Sequence, residues 1–185
     1  MNARHPGHDV VVAATRRWVE RAVIGLNLCP FAKGVSVRGL VRYAVSDATA
    51  TGSLLTDLET ELRLLSVADA GQVDTTLLIL PHVLGDFLDY NDFLDVADAA
   101  VKRMGLEGVI QIASFHPQYQ FAGTDPGDIT NYTNRSPWPI LHLLREASVD
   151  AAVAAFPEAD RIYEHNIDTL QRLGIDGWIA LGLDP

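Results

Sequence analysis

The sequence predicts an α/β (or α+β) domain: a small three- to four-stranded, largely parallel sheet flanked by helices, with a helical C-terminal third. Three observations carry this expectation. Residues 75–80 form a continuous apolar, β-prone run, the pattern of a strand buried on both faces. Helical and β-prone segments alternate before it and after it, in the order α-β-α-β-α-β. No repeat, low-complexity stretch or linker interrupts the 185 residues, a length that suits one domain over residues 1–185.

The elements follow in order. Residues 1–8 are expected to be loose. Asp9 can cap a helix to about residue 24, with Trp18, Val19, Ala22, Val23 and Leu26 at helical spacing, and Gly25 and Asn27 can end it. Residues 35–46 alternate, with Val35, Val37, Val41, Tyr43 and Val45 on one side, which predicts a half-exposed strand. A helix over 53–66 carries Leu54, Leu55, Leu58, Leu62 and Leu65. After the central strand, Asp86 caps a helix over 87–104 that turns Tyr90, Phe93, Leu94, Ala97 and Val101 inward. Residues 109–115 form the third strand. The segment 116–135 has no periodicity, and structureless stretches of this length are often functional. Ser136 is then expected to cap a helix, with Pro137 and Pro139 in its first turn. A short helix near 149–156, a longer one over 157–173 closed by Gly174, and a short tail strand over 178–183 complete the expectation.

Composition limits the classes of function. One cysteine excludes an intrachain disulfide, and no apolar run approaches the ~20 residues needed to span a bilayer. With no secretory leader pattern at the start, a cytoplasmic protein without membrane partners is expected. The formal charge is −10. It is unevenly spread: +5 over residues 1–42, −10 over 43–100 and −5 over 101–185. The overall acidity argues against nucleic acid as a partner. The basic first third either attracts an anion or docks on the acidic middle.

Chemistry-bearing residues concentrate in few places. His82 and His116 each follow a strand, and on parallel strands both would lie at the carboxyl edge, where ligands of open sheets usually bind. Asn134, Arg135 and Ser136 precede the expected helix, whose free N–H groups and dipole, with a guanidinium, would make an anion site. The bland alternative is a capped helix whose arginine pairs with Asp125 or Asp128. Tyr119, Phe121, Tyr132 and Trp138 would supply apolar walls, and Gly123 and Gly127 would be hinges if the 116–135 loop is a lid. Cys29 leaves the first helix in a loop, where Lys33 could lower the thiol pKa; the alternative is a small buried hydrophobe. His142 and Glu146, four apart, suggest a base and its orienter on one helical face, or a solvated polar face. Cys29, His82, His116 and His142 suit zinc by type, but no two have metal-like spacing, so no metal or cofactor is assigned.

Several of these segments carry a resemblance. Asn27-Leu28-Cys29-Pro30-Phe31-Ala32-Lys33, Ser114-Phe115-His116-Pro117 with Tyr119-Gln120-Phe121, and Asn131-Tyr132-Thr133-Asn134-Arg135-Ser136-Pro137 running into Leu141-His142-Leu143-Leu144-Arg145-Glu146 resemble an uncharacterised bacterial domain-of-unknown-function family, number 1415. The resemblance implies a free-standing bacterial protein and lends no catalytic residues.

The resulting expectation is a hydrolase or group transferase acting on a small anionic molecule. Asn134, Arg135, Ser136, Tyr119, Tyr132 and His142 would bind it, His116 would be the acid or base, and Cys29 a nucleophile or a ligand. Two alternatives stand beside it: a non-catalytic protein that binds an anionic ligand, and an interaction module that uses the 116–135 loop.

Overall fold

The computed structural model describes residues 6–183. Most of the N-terminal stretch expected to be loose lies outside the described residues, but His8 already opens a helix, and Asp9 falls inside its first turn rather than at the cap.

Helix α1 (His8–Trp18) runs directly into a π-helical turn, Val19–Ile24. The wider turn is set by bonds from Gly25 N–H to Glu20 O and from Leu28 N–H to Val23 O. Gly25 is required there, because a Cβ would sit 2.3 Å from Arg21 O. Asn27, at φ 55°, reverses the chain, as the sequence suggested. The expected strand over 35–46 divides. Its first half belongs to a short helix, α2 (Ala32–Val37), and only Val41–Val45 is strand β1. Helix α3 (Thr51–Val67), strand β2 (Thr75–Ile79), helix α4 (Phe87–Arg103) and strand β3 (Ile110–Phe115) follow as predicted. The Asp86 carboxylate caps α4 by accepting from the N–H groups of Leu88 and Asp89.

Beyond residue 135 the sequence reading needs correction. No helix starts at Ser136; residues Ile140–Arg145 are strand β4. Helix α5 (Glu146–Ala154) follows, then α6 (Ile162–Ala180). Gly174 (φ 65°, ψ 175°) kinks α6 rather than ending it, and the expected tail strand is instead the end of that helix to Ala180 and a short irregular stretch after it.

The sheet order is β1-β2-β4-β3. β1 and β2 are parallel, while β4 is antiparallel to both β2 and β3. The chain is therefore α/β, but the ladders are mostly antiparallel, not parallel. β1, β2 and β3 still run in one direction, as two β-α-β units require; β4 enters between β2 and β3 in the reverse sense.

Each sheet face has its own core. Leu78, Leu141, Leu143 and Ile110 meet Leu54, Leu58, Leu62 and Leu65 of α3 and Tyr90, Phe93 and Ala97 of α4. Each of those fully buried leucines contributes about 1.5–3 kcal/mol. On the other face, Leu77, Ile79 and Ile140 meet Val11, Trp18, Val19 and Ala22 of the first helix, with Trp178, Leu181 and Leu183 from the C-terminal end. The basic first third docks in part on the acidic middle: Arg42 forks Glu61 at 2.7 and 2.9 Å, and His8 lies 2.7 Å from Asp47.

Candidate functional site

The carboxyl edge of β2 and β3, where the sequence placed the site, is built as structure. His116 is fully buried. Its Nδ1 accepts from Gln118 N–H at 3.0 Å, so its Nε2 carries the hydrogen and donates to Leu84 O at 3.1 Å. Both ring nitrogens are committed to the loop, and burial lowers the pKa, keeping the ring neutral. Leu84, whose carbonyl takes that bond, has φ 57°, a strained backbone for a leucine.

Arg135 has no helix N-terminus beside it. Its guanidinium donates to Tyr119 O and Pro126 O and lies 4.2 Å from the Tyr132 ring centroid. It pairs with neither Asp125 nor Asp128, so the loop backbone takes the place of both the expected anion and the expected carboxylates. Asn134 donates to Ser114 O, and Ser136 to Trp138 O. Tyr119 packs on Phe87 and Phe121, and Tyr132 edge-on to Trp178. Tyr119, Phe121 and Trp138 are all half-buried. Buried Asn131, which sequence reasoning missed, braces the loop: it accepts from Phe121 N–H and Thr124 Oγ1 and donates to Asp125 O. This wiring ties the loop to itself between the two expected hinge glycines.

A roomier cavity lies elsewhere, on the α1 face of the sheet toward the starts of β1, β2 and β3. Its volume is about 780 Å³. The π-helical turn and α2 form one wall, α5 another, and the sheet the floor. Trp18, Val23, Phe31, Leu77, Phe115 and Leu144 make it largely apolar. π-helical turns recur at functional sites, because the widened turn re-aims side chains.

Two residues singled out in the sequence, Cys29 and His142, line this cavity together. His142 is not on a helix with Glu146. It sits in β4 between Leu77 of β2 and Ala113 of β3. Its Nε2 is 2.7 Å from Thr75 Oγ1, and burial pushes its pKa down to about 4. Cys29 is half-buried. Burial pushes its thiol up, opposed by backbone N–H groups of Phe31 and Ala32, so Lys33 does not create a thiolate. Thr75, Arg38, Asp74, Gln111, Arg145 and Ser148 complete the polar lining. None was legible as a site residue; Thr75, for example, looks like any β-branched residue of a buried strand.

The charges are unequal: two guanidiniums against one carboxylate. Among the described residues Arg145 donates to carbonyls, those of Ala68 and Val73. Arg38 is exposed at the rim, and its one hydrogen bond among the described residues goes from Nε to Gly34 O. Asp74 accepts from Ser148 at 2.6 Å. The cavity is thus a locally positive site on an acidic protein. Chemically it offers an apolar slot, a neutral imidazole, a protonated thiol and a cationic rim. Among the described residues no three His, Cys, Asp or Glu side chains cluster to hold a metal ion.

No curated protein matches the chain, and no solved structure does. A family model described as "Protein of unknown function (DUF1415)" matches residues 10–180, which take in both the cavity and the braced loop. With nearly its whole length matched, the chain belongs to that family.

Proposed function

We propose that the protein binds a small molecule with an apolar body and an anionic end in the cavity between the sheet and α1, α2 and α5. The observation that carries this is the cavity itself. Its volume of about 780 Å³ lies in the range of small-molecule sites, its walls are largely apolar, and its charged lining has an excess of cations. The anionic end faces Arg38, and the apolar body lies against Trp18, Phe31 and Phe115. Neither nucleic acid nor a membrane is the partner, and a bacterial cytoplasmic setting suits the free thiol of Cys29.

The test uses anilinonaphthalene sulfonate, an apolar fluorescent anion. It should bind the wild-type protein and shield Cys29 from a thiol reagent. Ala113→Trp, which fills the floor, should abolish both effects, and Arg38→Ala should weaken binding several-fold. Binding that ignores Ala113→Trp would overturn the proposal.

One observation favours a second reading, a hydrolase or group transferase: Cys29 and His142 share the cavity, and Thr75 orients the imidazole as a base requires. In that reading the Cys29 sulfur attacks the carbonyl carbon of a bound ester while His142 takes the thiol proton, the ester C–O bond breaks and His142 returns the proton to the departing alkoxide, and water then hydrolyses the thioester to free the thiol. Turnover of a bound ester that is lost in Cys29→Ser would establish it, and binding without turnover would leave the first reading alone.

A further inference from the structure

The hydrogen bonds beneath the cavity fix which end of a ligand reaches its floor. This step rests on the cavity reading above. Thr75 Oγ1 lies 2.7 Å from Leu143 O and 2.7 Å from His142 Nε2. A hydroxyl has one hydrogen, and a carbonyl oxygen can only accept. The hydrogen therefore goes to Leu143 O, and Thr75 Oγ1 accepts from Nε2–H. That tautomer leaves Nδ1 with a lone pair, able to accept and unable to donate. His142 makes no other hydrogen bond among the described residues. Its neighbours across the ladders are Leu77 and Ala113, and the Phe115 ring centroid is 6.0 Å away, so no described residue donates to Nδ1.

We infer that the ligand of this cavity carries a neutral hydroxyl, phenolic or alcoholic, that donates to His142 Nδ1 at the floor while its anionic end faces Arg38 at the rim. A carboxylate or phosphate at the floor would set acceptor against acceptor. An ammonium would donate, but it would enter a cavity with two guanidiniums and one carboxylate. A neutral donor avoids both conflicts, and in the empty cavity a water can take its place. The ring remains an acceptor at neutral pH because burial opposes a second proton. The ligand is thus a hydroxylated, largely apolar anion, with its two polar groups at opposite ends.

The experiment is a fluorescence titration with a matched pair, 2-naphthoate and 6-hydroxy-2-naphthoate. They differ by one hydroxyl at the end remote from the carboxylate. Wild-type protein should bind the hydroxylated member about tenfold more tightly, a difference of about 1.4 kcal/mol. In His142→Leu the preference should vanish, the two anions binding equally whatever their common affinity. Equal affinities on the wild type, or a preference that survives His142→Leu, would overturn the inference and leave the cavity reading standing. Failure of the wild type to bind either anion would overturn both. A variant-free measurement covers a misfolded His142→Leu: nitrogen–proton NMR correlations of the wild-type imidazole should place the hydrogen on Nε2, and a hydrogen on Nδ1 refutes the assignment.

Discussion

Acid should destabilise this protein before its carboxylates titrate, and His142 is the residue to change. The ring sits on the inner face of β4, and burial is the sole cause of its shift to about 4 from the ordinary 6.5. The unfolded chain therefore binds more protons across that window. Stability from the neutral ring is complete above pH 6.5 and falls as pH drops from about 6.5 to about 4. The whole span, 6.5 − 4, is worth about 3 kcal/mol, and about 2 kcal/mol of it is gone by pH 5. Burial of His116 works in the same direction, so the wild-type profile alone does not isolate the effect. His142→Leu does, since it removes one titrating group and keeps an apolar side chain on the floor. Urea unfolding at pH 7.5 and pH 5 should show the wild type losing about 2 kcal/mol more than the variant. No carboxylate contributes to the shift, so added salt should leave that difference in place. Equal losses in the two proteins would refute the reasoning, as would an NMR titration that finds the ring titrating near 6.5.

Two further substitutions separate scaffold from site. Arg135→Ala removes two bonds to loop carbonyls and the cover over Tyr132, which should cost about 1–3 kcal/mol in urea unfolding while leaving naphthoate binding unchanged. Lost binding at full stability would return Arg135 to a ligand site. Gly25→Ala forces a Cβ against Arg21 O in the π-helical turn, and the urea midpoint should fall by the equivalent of about 1–3 kcal/mol. An unchanged midpoint would mean that the turn relaxes freely.

The parts of the fold legible in the sequence are those whose local pattern and tertiary role agree. Residues 75–79 are β-prone throughout and buried throughout, and α4 combines an Asp86 cap with one apolar stripe. Strand β4 is not legible in the sequence because local pattern and tertiary context disagree there. Ser136-Pro137 imitates a capped helix start, and Leu141, Leu144 and Arg145 suit a helix, yet ladders to both β2 and β3 outweigh that preference. The same disagreement hides the site. A helix from Ser136 would pair His142 with Glu146 and give Arg135 a helix dipole; strand β4 pairs His142 with Thr75 and supplies no such dipole. Cys29 and His142 were visible as reactive residue types. Their shared cavity was not, because it depends on a reversed strand that no local periodicity announces.

The placement of β4 also bears on how the molecule is made. Residues 75–79 and 110–115 leave the ribosome long before residues 140–145, yet neither can pair across the gap between them until that last segment arrives. Until then β3 lacks the one strand it pairs with among the described residues, and β2 exposes an open edge beside an apolar run, the kind of surface that draws in other chains. The sheet closes only when its final strand inserts at the centre, so folding depends on contacts 60–70 positions apart, such as Thr75 with Leu144. A nascent or truncated chain ending before Ile140 is therefore an aggregation hazard, not a smaller folded domain, and helpers that shield nascent chains have most to do in that interval.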